Sequence, residues 1–341
     1  MGKKVVTFGE IMLRLSPPNY QRLIQTDSFD ITYGGGEANV SASLANFGLN
    51  SYYVSKLPYN PIGDAALNHL RRFGIKADYI VRGGNRLGIY FLEIGAAQRP
   101  SKVIYDRAHS AIAEAKVVDF DWDEIFKDTQ WFHFTGITPA LSDTTAELTL
   151  EAVKKAKQNK VKVSCDLNYR RKLWDTKKAN KVMSQLMEYV DIIIGNEEDA
   201  EKIFGLKSPE SDISTGQLNK EGYRFVAQEL AKRFNFELVV ITLRESYSAS
   251  DNGWSALAYD GKKFYGSNKY QIHIIDRVGG GDAFAGGLIY SLINGNQLQE
   301  ALDFAVAASC LKHSIPGDFN LVSKDEVESL QKGNVSGRVQ R

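Results

Sequence analysis

The sequence predicts an α/β fold: a single domain over residues 1–341, with a mostly parallel sheet covered by helices on both faces and a small β-sheet lid. Three observations carry that prediction. Strand-like runs alternate with amphipathic stretches from Trp131 onward, as parallel strands demand, because each needs a crossover to the next. Two glycine clusters, at 34–36 and 279–281, each lead into small apolar residues at helical spacing. Two regions, about 13–32 and 87–107, carry aromatic and β-branched residues in polar alternation with no helical period, and these form the lid.

The elements follow in order. Val5–Phe8 opens the series as a strand. Glu37–Phe47 is a helix with Gly48 behind it, Ser51–Val54 a strand, and Ala65–Phe73 a helix ended by Gly74. Residues 89–94 and 103–107 read as a hairpin joined by Gly95–Lys102. Trp131–Phe134, Val161–Asp166, Ile192–Ile194 and Leu238–Thr242 are strands. Between and after them come helices at Thr144–Gln158, Lys177–Glu188, Glu197–Phe204, Lys220–Phe234, Asp282–Ile293 and Leu298–His313. Ser208–Asn219 reads as a mobile polar loop and Lys332–Arg341 as a fraying tail.

Composition narrows the function classes. The net charge of +1 gives no bulk attraction to nucleic acid or to an anionic membrane. No apolar run reaches 18 residues, so no membrane span is expected, and the apolar start is broken at Gly9, Glu10 and Arg14. Cys165 and Cys310 sit far apart beside apolar residues. Both read as buried reduced thiols, which suits the cytoplasm. Neither a Cys/His metal spacing nor a Walker A sequence occurs.

The chemistry concentrates at Ile275-Asp276-Arg277-Val278-Gly279-Gly280-Gly281-Asp282-Ala283. Consecutive glycines let backbone N–H groups approach an anion, and a helix opening there adds free amides and a positive dipole end. Asp282 would repel an anion. It makes sense as a base that removes a proton from a hydroxyl attacking phosphate. Read alone, the same run is equally a glycine-rich turn with Asp as cap. The earlier cluster Gly34-Gly35-Gly36-Glu37-Ala38-Asn39 offers close backbone approach, and Glu37 and Asn39 offer partners for sugar hydroxyls.

An early Gly-Gly-x-x-x-Asn and a late Asp-x-x-Gly-x-Gly-Asp, about 240 residues apart in an α/β chain, resemble the PfkB (ribokinase-like) family of carbohydrate kinases over roughly residues 4 to 330. The resemblance implies ATP-dependent phosphoryl transfer to a sugar hydroxyl, with ATP and Mg2+ as cofactors. Asp282 becomes the catalytic base and Gly279, Gly280 and Gly281 the anion hole. Gly34, Gly35, Gly36 and Asn39 join the sugar site. Asn168, Asn196, Thr242, Gly279 and Gly281 become nucleotide contacts. The Asn-x-x-Glu element that holds Mg2+ waters maps to Asn196–Asp199, with Asp199 in place of the usual Glu, so Asp199 and Glu198 are the indirect metal candidates. This chain departs from the family at Arg277, where Thr is common, and at Gly280, where Ala is common. It also has Arg244 and Tyr247 where the family has Gly-x-x-Gly along the nucleotide.

Within that family, Gly-Glu-Ile-Met-Leu-Arg-Leu at 9–15, Gly88-Ile89-Tyr90, Tyr105-Asp106-Arg107, Asn168-Tyr169-Arg170 and Gly317-Asp318 resemble 2-keto-3-deoxygluconate kinases. The likeness implies that Tyr90, Tyr105, Arg107, Arg170 and Asp318 bind an acid sugar, arginine being a fitting partner for a carboxylate. It also implies a homo-oligomer through the lid sheet. Two alternatives stand beside it: a fructokinase-like enzyme for a neutral ketose, and a sugar-binding regulator without catalysis.

Overall fold

The computed structural model describes residues 2–207 and 220–334. The expected loop at Ser208–Asn219 and the tail from 335 lie outside the described residues. Among the described residues, the main sheet has ten strands. From one edge to the other they run Phe264–Gly266, Asp251–Tyr259, Leu238–Ser246, Ile192–Gly195, Lys162–Asp166, Thr129–Thr135, Lys4–Phe8, Asn50–Leu57 and Ile80–Arg82. Tyr270–His273 pairs with Asp251–Tyr259 off this path. All neighbours from Leu238–Ser246 to Ile80–Arg82 are parallel.

Successive residues of these strands face opposite sides, so each buried strand feeds two cores. Val5, Trp131, Ile192 and Val240 pack against the helices Gly36–Asn46, Gly280–Ile293 and Leu298–Lys312. Val6, Phe132, Ile193 and Val239 pack on the other side, under Asp143–Gln158 and Thr176–Met187. Consecutive residues of these strands are therefore buried on both faces, Thr7, His133 and Ser164 included.

Several elements differ from the sequence expectation. The strand expected at Leu238–Thr242 runs on to Ser246, and antiparallel strands follow at Asp251–Tyr259, Phe264–Gly266 and Tyr270–His273. Gly253, Ala256 and Ala258 are poor strand formers alone; cross-strand pairing supplies what propensity lacks. The helix expected from Ala65 starts at Pro61, because Asn60 caps it by accepting from the Gly63 amide at 2.9 Å. Short helices at Trp122–Phe126 and Lys324–Gln331 were not foreseen. Cys165 is buried, whereas Cys310 is only half-buried; both are free thiols. Among the described residues, no helix is long and apolar enough to cross a membrane.

The lid is a separate four-stranded sheet in the order Asp30–Gly34, Met12–Ser16, Gly88–Glu93, Lys102–Asp106. Its register sorts the side chains into rows. Thr32, Arg14, Tyr90 and Tyr105 form one row across all four strands. One residue along, Ile31, Leu15, Phe91 and Ile104 form another on the opposite face. Ile31 is 62% exposed and Ile104 52% exposed, while Leu15 and Phe91 between them are half-buried, so the second row leaves its two outer residues uncovered in the monomer.

Candidate active site

The carboxyl ends of the parallel strands and the inner face of the lid enclose a cavity of about 770 Å3, within the range of small-molecule sites. Nearly every residue proposed from the sequence lines it: Gly35, Gly36, Asn39, Tyr90, Tyr105, Arg107, Asn168, Arg170, Asn196, Glu198, Asp199, Thr242, the three glycines 279–281, Asp282 and Asp318. Gly34 is the exception. It lies behind Asp318, whose carboxylate fills the space that a Cβ at 34 would need.

Asp282 stands in the first turn of the helix Gly280–Ile293. Asn39, from the helix Gly36–Asn46, donates through Nδ2 to Asp282 Oδ2 at 2.7 Å, and its own Oδ1 accepts from the Gly35 amide at 3.2 Å. The two glycine-led helices thus meet at this carboxylate. Burial pushes Asp282 up to about 6, against the pull of the Asn39 hydrogen bond and the charge of Arg170. It remains mostly ionised at neutrality.

The glycines differ in what they do. Gly279 has φ +84°, and a Cβ there would meet the Asp318 carbonyl. Nothing lies within 4 Å of a Cβ placed on Gly281, so that backbone borders open space. The Gly280 amide reaches the Arg277 carbonyl at 3.4 Å. The amides of Gly281 and Asp282 lie in the first helical turn, which has no intrahelical acceptors.

The sugar-side residues form buried networks that sequence reading missed. Arg14 donates to Asp276 Oδ2 at 2.6 Å and to Asp318 Oδ1 at 2.8 Å, while the Tyr90 hydroxyl donates to Asp318 Oδ2. Asp276 also accepts from the amides of Val278 at 3.0 Å and Gly317 at 3.0 Å, so it ties the glycine loop to the lid. Arg107 is not free. Its Nε donates to Glu10 Oε2 at 2.7 Å, Nη2 reaches the same oxygen, and Ser110 donates to Glu10 Oε1 at 2.6 Å. Glu10, Met12 and Arg14 all border this network at alternate positions, a period-2 signal that could have exposed Glu10 and Arg14 as partners.

Glu37 departs from its expected use. Rather than offering itself to a sugar, its Oε1 accepts from the Thr135 amide at 2.9 Å, from Thr135 Oγ1 at 2.8 Å and from Thr138 Oγ1 at 2.7 Å. Burial brings it up to about 7 despite those bonds. On the opposite wall, Asn196 caps the helix Glu197–Phe204, accepting from the Asp199 amide at 2.8 Å. Asp199 accepts from the amides of Tyr169 at 2.9 Å and Asn196 at 3.3 Å, so it braces the wall, and burial raises it to about 6. Glu198 is the exposed carboxylate there. Among the described residues, no three acidic, His or Cys side chains are arranged to hold a metal by themselves. A cation carried by phosphates needs fewer, and Glu198 beside Asp199 fits that demand.

Comparison with known proteins agrees with this geometry. The model of the pfkB family carbohydrate kinases matches residues 2–323. A 2-dehydro-3-deoxygalactonokinase of Haloferax volcanii is 35% identical over 99% of each chain. The crystal structure of 2-dehydro-3-deoxygluconokinase from Thermotoga maritima superposes with a TM-score of 0.94 at 57% identity, covering 97% of this chain and all of that one. A PfkB family carbohydrate kinase from Listeria grayi, 35% identical with a TM-score of 0.90, covers this chain to 97% and is itself covered to 100%. With its glycine-led helices meeting at one carboxylate beneath a four-stranded lid, the chain belongs to the pfkB family of carbohydrate kinases.

Proposed function

We propose that the protein transfers the γ-phosphoryl group of MgATP to the 6-hydroxyl of 2-keto-3-deoxygluconate, giving the 6-phosphate and ADP. The observation that carries this reading is Asp282, an ionisable carboxylate oriented by Asn39 at a helix N-terminus, in one cavity with Arg107 and Arg170. The sugar oxygen forms a bond to the γ-phosphorus and the bond from that phosphorus to the bridging oxygen of ADP breaks. The hydroxyl proton goes to Asp282. The amides of Gly281 and Asp282 and the helix dipole oppose the charge that builds on the phosphoryl oxygens. Arg170, whose charge is felt by Asp282, Asp166 and Asp199, stands where it can serve the transferring group. Tyr90, Tyr105 and Asp318 bound the sugar from the lid and from the loop beside it. When bound, Mg2+ neutralises phosphate charge, and Glu198 with Asp199 behind it would hold it.

One observation favours a second reading. Glu10 already neutralises Arg107, which leaves a pocket that a neutral ketose such as fructose could enter. The test is MgATP-dependent ADP release with 2-keto-3-deoxygluconate, its galactonate epimer and fructose side by side. Preference for either keto-deoxy acid supports the reading, whereas preference for fructose replaces it. Absence of turnover with all three would bring the non-catalytic alternative forward. The row Ile31, Leu15, Phe91 and Ile104, exposed at its two ends, further supports a homo-oligomer joined lid to lid.

A further inference from the structure

Lys312 is a buried charge with no part in the steps above. It ends the helix Leu298–Lys312 and is fully buried, and its Nζ donates to the Ile315 carbonyl at 3.1 Å. Asp276 and Asp318, the acids that attract it, hold their short contacts with Arg14 instead. Burial pushes the ammonium below the usual lysine range. Asp276 and Asp318 oppose that push, Arg14 adds to it, and Asp282 opposes it. His313, the next residue, is brought by burial to about 3 and carries no charge at neutrality. A cation taken out of water at such a cost needs acids to hold it there.

The place it occupies is specific. Its Cε is 3.2 Å from where a Cβ on Gly279 would stand, so the stem lies directly against the glycine turn. The chain after Lys312 closes on the same spot. The His313 carbonyl accepts from the amides of Ile275 at 2.8 Å and Asp276 at 3.2 Å, and the Asp318 carbonyl fills the space beside Gly279. Gly279 caps the helix Gly280–Ile293, whose first turn carries Asp282. The positive end of that helix dipole repels a cation, so the site is held by Asp276, Asp282 and Asp318 together. Against the burial that pushes Asp282 up stand Asn39, Arg170 and Lys312, with Asp318 on the side of burial. Of the two cations, Arg170 is exposed and screened by water, whereas Lys312 is sealed in. We propose that Lys312 is a positioning residue for phosphoryl transfer, its buried ammonium being the fixed counter-charge for the aspartates on either side of the glycine turn, a role that rests on the kinase reading above. Lys312 stays opposite Asp282 whatever enters the cavity.

Titration of the Asp282 carboxyl by carbon NMR tests this on aspartate-labelled wild type, Lys312→Met and Lys312→Gln, with the Asp282→Asn spectrum identifying the signal. The wild-type signal should titrate at about 6. Lys312→Met removes the charge at similar length and should move the signal upward by roughly half a pH unit to one, because loss of a nearby cation disfavours the carboxylate. The acid limb of kcat/KM should rise with it, so the variant loses several-fold more activity at about pH 6 than at about pH 8. An Asp282 signal unmoved in Lys312→Met overturns the proposal and leaves Lys312 a packing residue. Should that variant fail to fold, Lys312→Gln carries the same reading, and failure of both to fold marks the lysine as structural and overturns the proposal equally. The carboxyl titration needs no turnover, so a wrong sugar assignment would leave it readable.

Discussion

At the scale of single residues, Asp282 and Arg107 carry separable expectations. The folded Asp282 titrates near 6, above its ordinary value, so the base is lost as pH falls through that point. The kcat/KM of the wild type should therefore decline below about pH 6 with the slope of one proton. Asp282→Asn should lower kcat by roughly 10²–10⁴-fold while sugar binding, measured by calorimetry, stays close to wild type. Turnover within a few-fold of wild type would remove Asp282 from the base role. Arg107 differs because it serves two carboxylates, one inside the protein and one proposed on the substrate. Arg107→Ala should raise the KM for the acid sugar far more than for fructose. It should also lower thermal stability, since Glu10 is left buried without its cation, a loss on the order of 3–5 kcal/mol. A melting curve and a pair of KM values separate these effects.

At the scale of elements, the glycine loop and the helix behind it act together. Gly279 holds a left-handed backbone against the Asp318 carbonyl, so Gly279→Ala combines strain with a collision. The variant should lose both stability and sugar affinity, because Asp318 must move and Tyr90 and Arg14 bind to it. A Tm and KM close to wild type would contradict this coupling. The elements that were legible in the sequence were those with a strong local signal. Within Thr129–Thr135 and Ile192–Gly195 stand short runs of aromatic or branched apolar residues, Trp131 to Phe134 and Ile192 to Ile194, and the helices around them are long and periodic. The strand Asp251–Tyr259 was not legible, since its Gly and Ala residues are strand-like only through pairing with Leu238–Ser246. At the site, the motif residues came through because glycine next to Asp is a local pattern. Glu10, Arg14 and Asp276 did not, because each acts through partners far along the chain, Arg14 meeting acids at 276 and 318. Even the motif misled where a partner intervened, as Thr135 and Thr138 do at Glu37.

For the whole molecule, the lid has one face turned to chemistry and one whose outer strands leave Ile31 and Ile104 exposed. If two copies cover that face, Ile104→Glu should shift the protein to monomer in sedimentation analysis, by placing charge in the middle of the contact. The secondary structure should be unaltered, since Ile104 is exposed in the single chain. A wild type that sediments as a monomer at micromolar concentration would dismiss the lid contact outright.

The inner pair of the lid, Met12–Ser16 beside Gly88–Glu93, joins segments whose first residues are 76 positions apart (88 − 12). Each strand has a close-range neighbour, but their parallel seam exists only once the chain between them has closed a long loop. That closure carries an entropic charge that only packing of the intervening helices and strands can offset. Assembly of the lid therefore belongs late in folding, after Gly36–Asn46 and Asn50–Leu57 have taken their places on the sheet. Newly made chains therefore lack the roof of the site until that seam has formed, and a ligand held between sheet and lid favours the closed seam.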